Sequence, residues 1–148
     1  MPLIKVNSVI KGGKLEENIN NNAIVVYHWN NCGHCRQFMP LLYKTLEINK
    51  QLKDKANVFE IEYSNFNFIP DYLRNVNAFP YIVAYNRGSI IEEFNDQRTI
   101  PKIEAFISRN SKQSTKKSNS YSSSNYNSQS TTRKKRVLKK YNSESKSN

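Results

Sequence analysis

The chain holds two cysteines, and they stand together as Cys32-Gly33-His34-Cys35. Two cysteines placed at random would fall three residues apart on the order of one time in a hundred. A close pair of this kind can carry electrons as a dithiol that becomes a Cys32-Cys35 disulfide and back again. Placed where a helix begins, Cys32 would meet unpaired backbone N–H groups and positive potential, which favour its thiolate. Cys32 is then the attacking thiol, and Cys35, further into the helix, resolves the mixed disulfide. His34, when protonated, adds positive charge beside the Cys32 thiolate and makes the disulfide more oxidising. Two buried structural thiols, or half of a zinc site shared with a second copy, are the competing readings. One chain lacks four well-spaced zinc ligands. Haem attachment needs a histidine after the second cysteine, where Arg36 stands. His28 reads as a packed or surface strand residue. No metal and no cofactor is implied, because the electrons travel in the cysteine pair.

Positioning such a pair requires a strand ahead of it and a helix behind it. Residues 23–29 (AIVVYHW) form the nearly continuous apolar run of a strand covered on both faces. Residues 33–53 follow as a long helix with one apolar face, kinked at Pro40. Upstream, residues 3–10 are expected to form a first strand and residues 14–20 a short helix. Downstream come a strand over 57–63, a short helix over 68–76 with Pro70 near its first turn, and strands over 80–85 and 89–94. Asn86-Arg87-Gly88 joins the last two as a hairpin. A final helix over 100–109 starts with Thr99 as N-cap and Pro101 in its first turn. The many Tyr and Phe residues of 27–94 are expected mostly in the core. This order predicts an α/β fold, a mixed central β-sheet with helices on both faces.

The stretch HWNNCGHCRQFMP resembles the active site of the thioredoxin superfamily, and its CGHC resembles the catalytic domains of protein disulfide isomerase. Pro40 matches the family's proline five residues after the second cysteine. VNAFPYIVAYNRG matches the family's cis-proline segment, with Phe79-Pro80 as the cis bond. EEFNDQRTIPKIEAFI places Arg98 where disulfide isomerase domains carry an arginine that approaches the second cysteine. The matches cover about residues 20–107. The resemblance implies a thioredoxin-like fold and disulfide formation, exchange or isomerisation in protein substrates. Cys32 and Cys35 would be catalytic, with Gly33, His34, Pro80 and Arg98 in support. Protein thiols and disulfides are the implied substrates, with an upstream redox partner. Two family features are replaced. Asn31 stands where a tryptophan usually precedes the first cysteine, with Trp29 two positions earlier. Val26 stands where the family has a buried acid that moves protons to and from the second cysteine, and Glu60 or Glu62 could take its place.

Charge divides the chain. Residues 1–107 carry 12 Lys and Arg against 11 Asp and Glu, whereas residues 108–148 carry 11 against one. The second stretch has 13 serines and two aliphatic residues, Val137 and Leu138. It cannot bury enough apolar surface to offset its ordering entropy. The expected organisation is a folded domain over 1–109 and a disordered Ser/Asn/Lys-rich basic tail over 110–148. Arg133-Lys134-Lys135-Arg136 with Lys139-Lys140 could contact nucleic acid, acidic proteins or anionic membrane, or act as a nuclear signal. Tyr121, Tyr126 and Tyr141 could stack on single-stranded bases. No apolar run is long enough to span a bilayer, and the first residues lack a signal peptide's apolar region, so a cytoplasmic location is expected. A disulfide isomerase-like site in a reducing cytoplasm is reconciled by an oxidase relay. Large DNA viruses run such relays and package them in virions, and the abundance of Asn, Lys, Ile and Ser fits an AT-rich genome. A second reading stays open. In it a non-catalytic thioredoxin-fold binding or structural module is anchored through its basic tail to nucleic acid or to an assembly such as a virion.

Overall fold

The computed structural model describes residues 3–111. The expected basic tail lies outside them, apart from Asn110 and Ser111. Both of these are buried, and the Asn110 amide donates to Phe106 O at 2.9 Å and Glu92 Oε1 at 2.8 Å. The elements are β1 (Ile4–Lys5), α1 (Val9–Ile19), β2 (Asn22–His28), α2 (Gly33–Ile48), α3 (Lys50–Lys55), β3 (Val58–Glu62), β4 (Tyr81–Asn86), β5 (Ser89–Glu93) and α4 (Ile100–Arg109). Two 3₁₀ turns, Tyr63–Phe68 and Asp71–Leu73, lie between β3 and β4.

The strands form one mixed five-stranded sheet in the order β1-β3-β2-β4-β5. Strand β2 runs parallel to β3, with Val26 opposite Glu60, and antiparallel to β4, with Val26 opposite Ile82. Successive side chains of a strand point to opposite faces, and β2 divides in that way. Ile24 and Val26 pack with Phe38, Leu42 and Leu46 of α2 and with Ile103, Phe106 and Ile107 of α4. Ala23, Val25 and Tyr27 pack on the other face with Leu15 and Ile19 of α1 and with Ile69 and Leu73. Each fully buried side chain of Val or Ile size contributes about 1.5–3 kcal/mol, so a strand buried on both faces is firmly held.

Four expectations are corrected. The strand expected over 3–10 stops after Lys5, and α1 starts at Val9 rather than near Lys14. Ser8 accounts for both changes: its hydroxyl accepts the Lys11 N–H at 3.3 Å as an N-cap. Val9, 75% exposed, then lies on an outer helical turn instead of in a strand core. The helix expected over 33–53 divides at Asn49, whose side chain accepts the Gln51 N–H at 3.1 Å and caps a separate α3. The helix expected over 68–76 is replaced by the two 3₁₀ turns, with Pro70 just ahead of the second. The remaining strands and the last helix lie within a residue or so of where they were expected. Pro40 lies inside α2, and its missing N–H removes the helical bond to the Arg36 carbonyl. Arg87 and Gly88, at φ 53° and 83°, make the tight turn of the β4–β5 hairpin. Thr99 caps α4 by accepting the Lys102 N–H at 3.4 Å.

Helix α1 carries adjacent glycines in opposite situations. A Cβ at Gly12 would stand 2.0 Å from the Phe68 carbonyl oxygen, whereas one at Gly13 would meet nothing within 4 Å. Gly12→Ala should therefore destabilise the fold by about 1–3 kcal/mol through overpacking. Gly13→Ala should stabilise it by up to about 1 kcal/mol through helix propensity. Urea unfolding of the two variants checks this, and equal midpoints would refute the close α1 contact.

Candidate functional site

Strand β2 ends at His28, and residues 29–32 carry the chain from the sheet into α2. This short link is tied at several points. The Cys32 N–H donates to Trp29 O at 3.0 Å, and the Arg36 guanidinium donates to Asn30 O at 3.0 Å. Cys32 has extended backbone, at φ −98° and ψ 122°, and occupies the N-cap of α2. Cys35 lies one turn further in and is 1% exposed. Both are free thiols.

The two sulfurs have different surroundings. The Cys32 thiol donates to Phe79 O at 3.4 Å, and the peptide bond from Phe79 to Pro80 is cis. The Cys35 sulfur accepts the Trp29 N–H at 3.5 Å. The Cys32 thiol is held below the ordinary thiol range, first by the Cys35 backbone N–H. Desolvation opposes this, and the Cys35 thiol, the His34 N–H and the Arg36 charge each add to the lowering. The Cys35 thiol is pushed up to about 11, first by burial. The Trp29 N–H and the Arg98 charge oppose that rise without cancelling it. Unpaired N–H groups at a helix start thus act on the outer sulfur, while apolar packing acts on the inner one.

The other expected site residues surround this pair. Gly33 and His34 are exposed in the first turn of α2. A Cβ at Gly33 would approach only the flexible Arg36 side chain, at 4.0 Å. His34 acts on Cys32 through its backbone N–H. Pro80 is buried, and Arg98 is exposed within electrostatic reach of Cys35. Arg36, which the sequence reading used only to exclude haem, adds positive charge at Cys32.

Two groupings escaped the sequence reading, although it named Glu60, beside Glu62, as able to take the place of the family's acid. One is an aromatic surface beside Phe79, where several rings were expected to be core. Trp29, Tyr63, Phe66 and Phe79 lie in mutual contact, with ring centroids 5.2–6.4 Å apart. Trp29 is 38% and Tyr63 52% exposed. The other group is buried. His28 is 8% and Glu60 4% exposed, and His28 Nε2 lies 2.9 Å from Glu60 Oε2. The Tyr43 hydroxyl, from α2, donates to both Glu60 oxygens at 2.9 Å. Strand alternation held the clue, since His28 and Glu60 share the parity of Val26 and Val58, which face α2. Glu62 is engaged locally. Against a desolvation that would raise it, its carboxyl is held low by the Ser64 hydroxyl and by the N–H groups of Asn30 and Ser64. Among the described residues no group of three or more His, Cys, Asp or Glu could hold a metal ion. No described helix is long and apolar enough to cross a membrane.

Comparison with known proteins agrees with this architecture. The sequence profile of the thioredoxin family matches residues 7–109. A comparison with curated proteins finds no match. Among solved structures, the chain is similar to the J-Trx1 fragment of ERdj5, at 15% identity and a TM-score of 0.57 over 72% of this chain and 50% of that one. It is similar to the first two thioredoxin domains of Naumovozyma dairenensis Eps1p, at 20% identity and a TM-score of 0.54 over 72% and 39%. It is also similar to a reduced Schistosoma mansoni thioredoxin pre-protein, at 20% identity and a TM-score of 0.52 over 74% and 99%. The chain thus spans half or less of the first two. With the family profile covering four of the five strands, the helices and both cysteines, the chain belongs to the thioredoxin family.

Proposed function

We propose that this protein is a thiol–disulfide oxidoreductase acting on protein cysteines, nearer in character to a disulfide isomerase domain than to a reducing thioredoxin. The observation that carries this reading is the contrast between the two sulfurs: Cys32 accessible and low in pKa at a helix start, Cys35 buried and high one turn behind it. The Cys32 thiolate attacks one sulfur of a substrate disulfide. A Cys32–substrate bond forms, and the other substrate sulfur leaves as a thiolate. Cys35 loses its proton and attacks Cys32. The Cys32–Cys35 bond forms, the second substrate sulfur is released, and two electrons have passed from protein to substrate. Run backwards, the same steps oxidise a substrate dithiol. Isomerisation uses only the first attack and its reversal.

Supporting roles follow from position. The Phe79 carbonyl beside Cys32 Sγ offers backbone pairing to a substrate strand, and Pro80 shapes that edge. Open space at Gly33 lets the substrate backbone approach. His34 tunes the potential when protonated. Arg98 favours the Cys35 thiolate during resolution.

Three outcomes are expected. Alkylation by iodoacetamide should modify Cys32 far faster than Cys35 at pH 7, and Cys32 should stay reactive below the ordinary thiol range; equal rates would contradict the contrast between the sulfurs. Cys35→Ser should accumulate a Cys32–substrate mixed disulfide, and Cys32→Ser should abolish exchange, both read on non-reducing gels. Equilibration with glutathione should give a reduction potential near about −180 mV, the value typical of disulfide isomerases. A value near about −270 mV would make the protein a reductant of the thioredoxin kind. The absence of any reversible couple would leave the binding module as the better reading.

A further inference from the structure

Resolution requires the buried Cys35 to give up a proton in a place where bulk water barely reaches it. A cleft of about 160 Å³ opens beside this sulfur, lined by His28, Trp29, Asn30, Cys35, Arg36, Met39 and Tyr43. That volume holds several waters, and its polar walls give them partners. The imidazole of His28 is the group in this wall suited to general-base work. Its Nε2 faces Glu60 Oε2 at 2.9 Å. With Nε2–H donating to the carboxylate, the neutral ring keeps its acceptor lone pair on Nδ1. The Tyr43 hydroxyl donates to both oxygens of the same carboxylate. Burial, the Glu60 charge and the hydrogen bond to it push Tyr43 further up, so it remains a phenol donor and holds Glu60 in place.

We propose that His28, oriented by Glu60 and Tyr43, accepts the Cys35 proton through water in their shared cleft as Cys35 attacks the mixed disulfide. The inference rests on the exchange reaction proposed above. In the step, the Cys35 S–H bond breaks and its proton passes by water to His28. The Cys35–Cys32 bond forms, the Cys32–substrate bond breaks, and the substrate sulfur leaves with the electron pair. In reverse, protonated His28 returns the proton to Cys35 as that sulfur leaves. Glu60 stabilises the imidazolium that the forward step creates. His28 and Glu60 are thus positioning residues that act through water on the reacting sulfur.

The groups facing His28 are Glu60 and Glu62 from β3, Tyr43, Arg36 and Cys35 from α2, and Lys5 from β1.

Stopped-flow reaction of the reduced full chain with 5,5′-dithiobis(2-nitrobenzoate) separates the steps. Attack by Cys32 releases one thionitrobenzoate at a rate that depends on reagent concentration. Resolution by Cys35 releases the second at a rate that does not. In His28→Gln the second rate at pH 7 should fall by about a hundredfold, the lower end of general-base effects, with the first rate unchanged. Glu60→Gln should also slow the second phase. An unchanged second phase in His28→Gln overturns the inference and leaves the exchange reaction standing. If wild-type protein shows no first phase, the exchange reaction itself fails.

Discussion

The site depends on one strand being unable to move. β2 is hydrogen-bonded along both edges, to β3 and β4, and buried on both faces. It therefore gives a fixed starting point for the four residues that lead into α2. Those residues are held by backbone bonds at Trp29 and Asn30 rather than by packing alone. At the far end, Phe38, Met39 and Leu42 bind the first turns of α2 to the same sheet face. The positions of both sulfurs are thus set by the sheet. The Phe79 carbonyl that meets Cys32 comes just before β4, which is paired to β2. Attacking sulfur and neighbouring backbone are registered through the same hydrogen-bond ladder.

From that placement the difference between the thiols follows with little further help. A helix start offers N–H groups to whatever lies at its N-cap, and Cys32 is that residue. One turn later the side chain lies against the sheet, so Cys35 is buried. The two sulfurs are three residues apart and experience opposite influences, hydrogen bonding and positive charge outside, desolvation inside. A low-pKa sulfur is suited to be both attacker and leaving group. A high-pKa sulfur stays protonated until the mixed disulfide has formed. In the exchange reaction proposed above, the order of events follows from depth along a single helical turn.

Much of this was legible in the sequence because it is local. The apolar run of β2, the cysteine spacing, the Thr99 cap and the Arg87-Gly88 turn each carry their signal within a few residues. Errors arose where two local signals competed. Residues 3–10 have strand-like composition, but Ser8 interrupts them as a cap, and Gly12 and Gly13 obscured the helix beyond it. Gly12 is small because Phe68 approaches it, a reason that lies 56 positions away. Asn49 looked like an interior helix residue and proved to be a cap. The aromatic surface around Phe79 and the His28–Glu60 pair were missed for another reason. Both are contacts between separate elements, which composition does not encode. Parity does constrain the second: once β2 and β3 are taken as parallel neighbours, His28 and Glu60 fall on the face that α2 covers.

That parity gives meaning to the departure at Val26. The family's acid position is apolar here, yet its register partner across the ladder is Glu60. A carboxyl group lies on the α2 side of the sheet, one strand over. Burying a carboxylate is costly unless its oxygens are satisfied, and here His28 and Tyr43 satisfy them. Replacing such a buried polar set by well-packed apolar residues is often neutral or stabilising. Stability alone therefore gives weak grounds for a histidine, a glutamate and a tyrosine to meet beneath Cys35. A proton that must leave a buried thiol gives a stronger one. Because the acid and the imidazole sit on different strands, their separation is fixed by the β2–β3 register, so the ladder that places the sulfurs also places this pair.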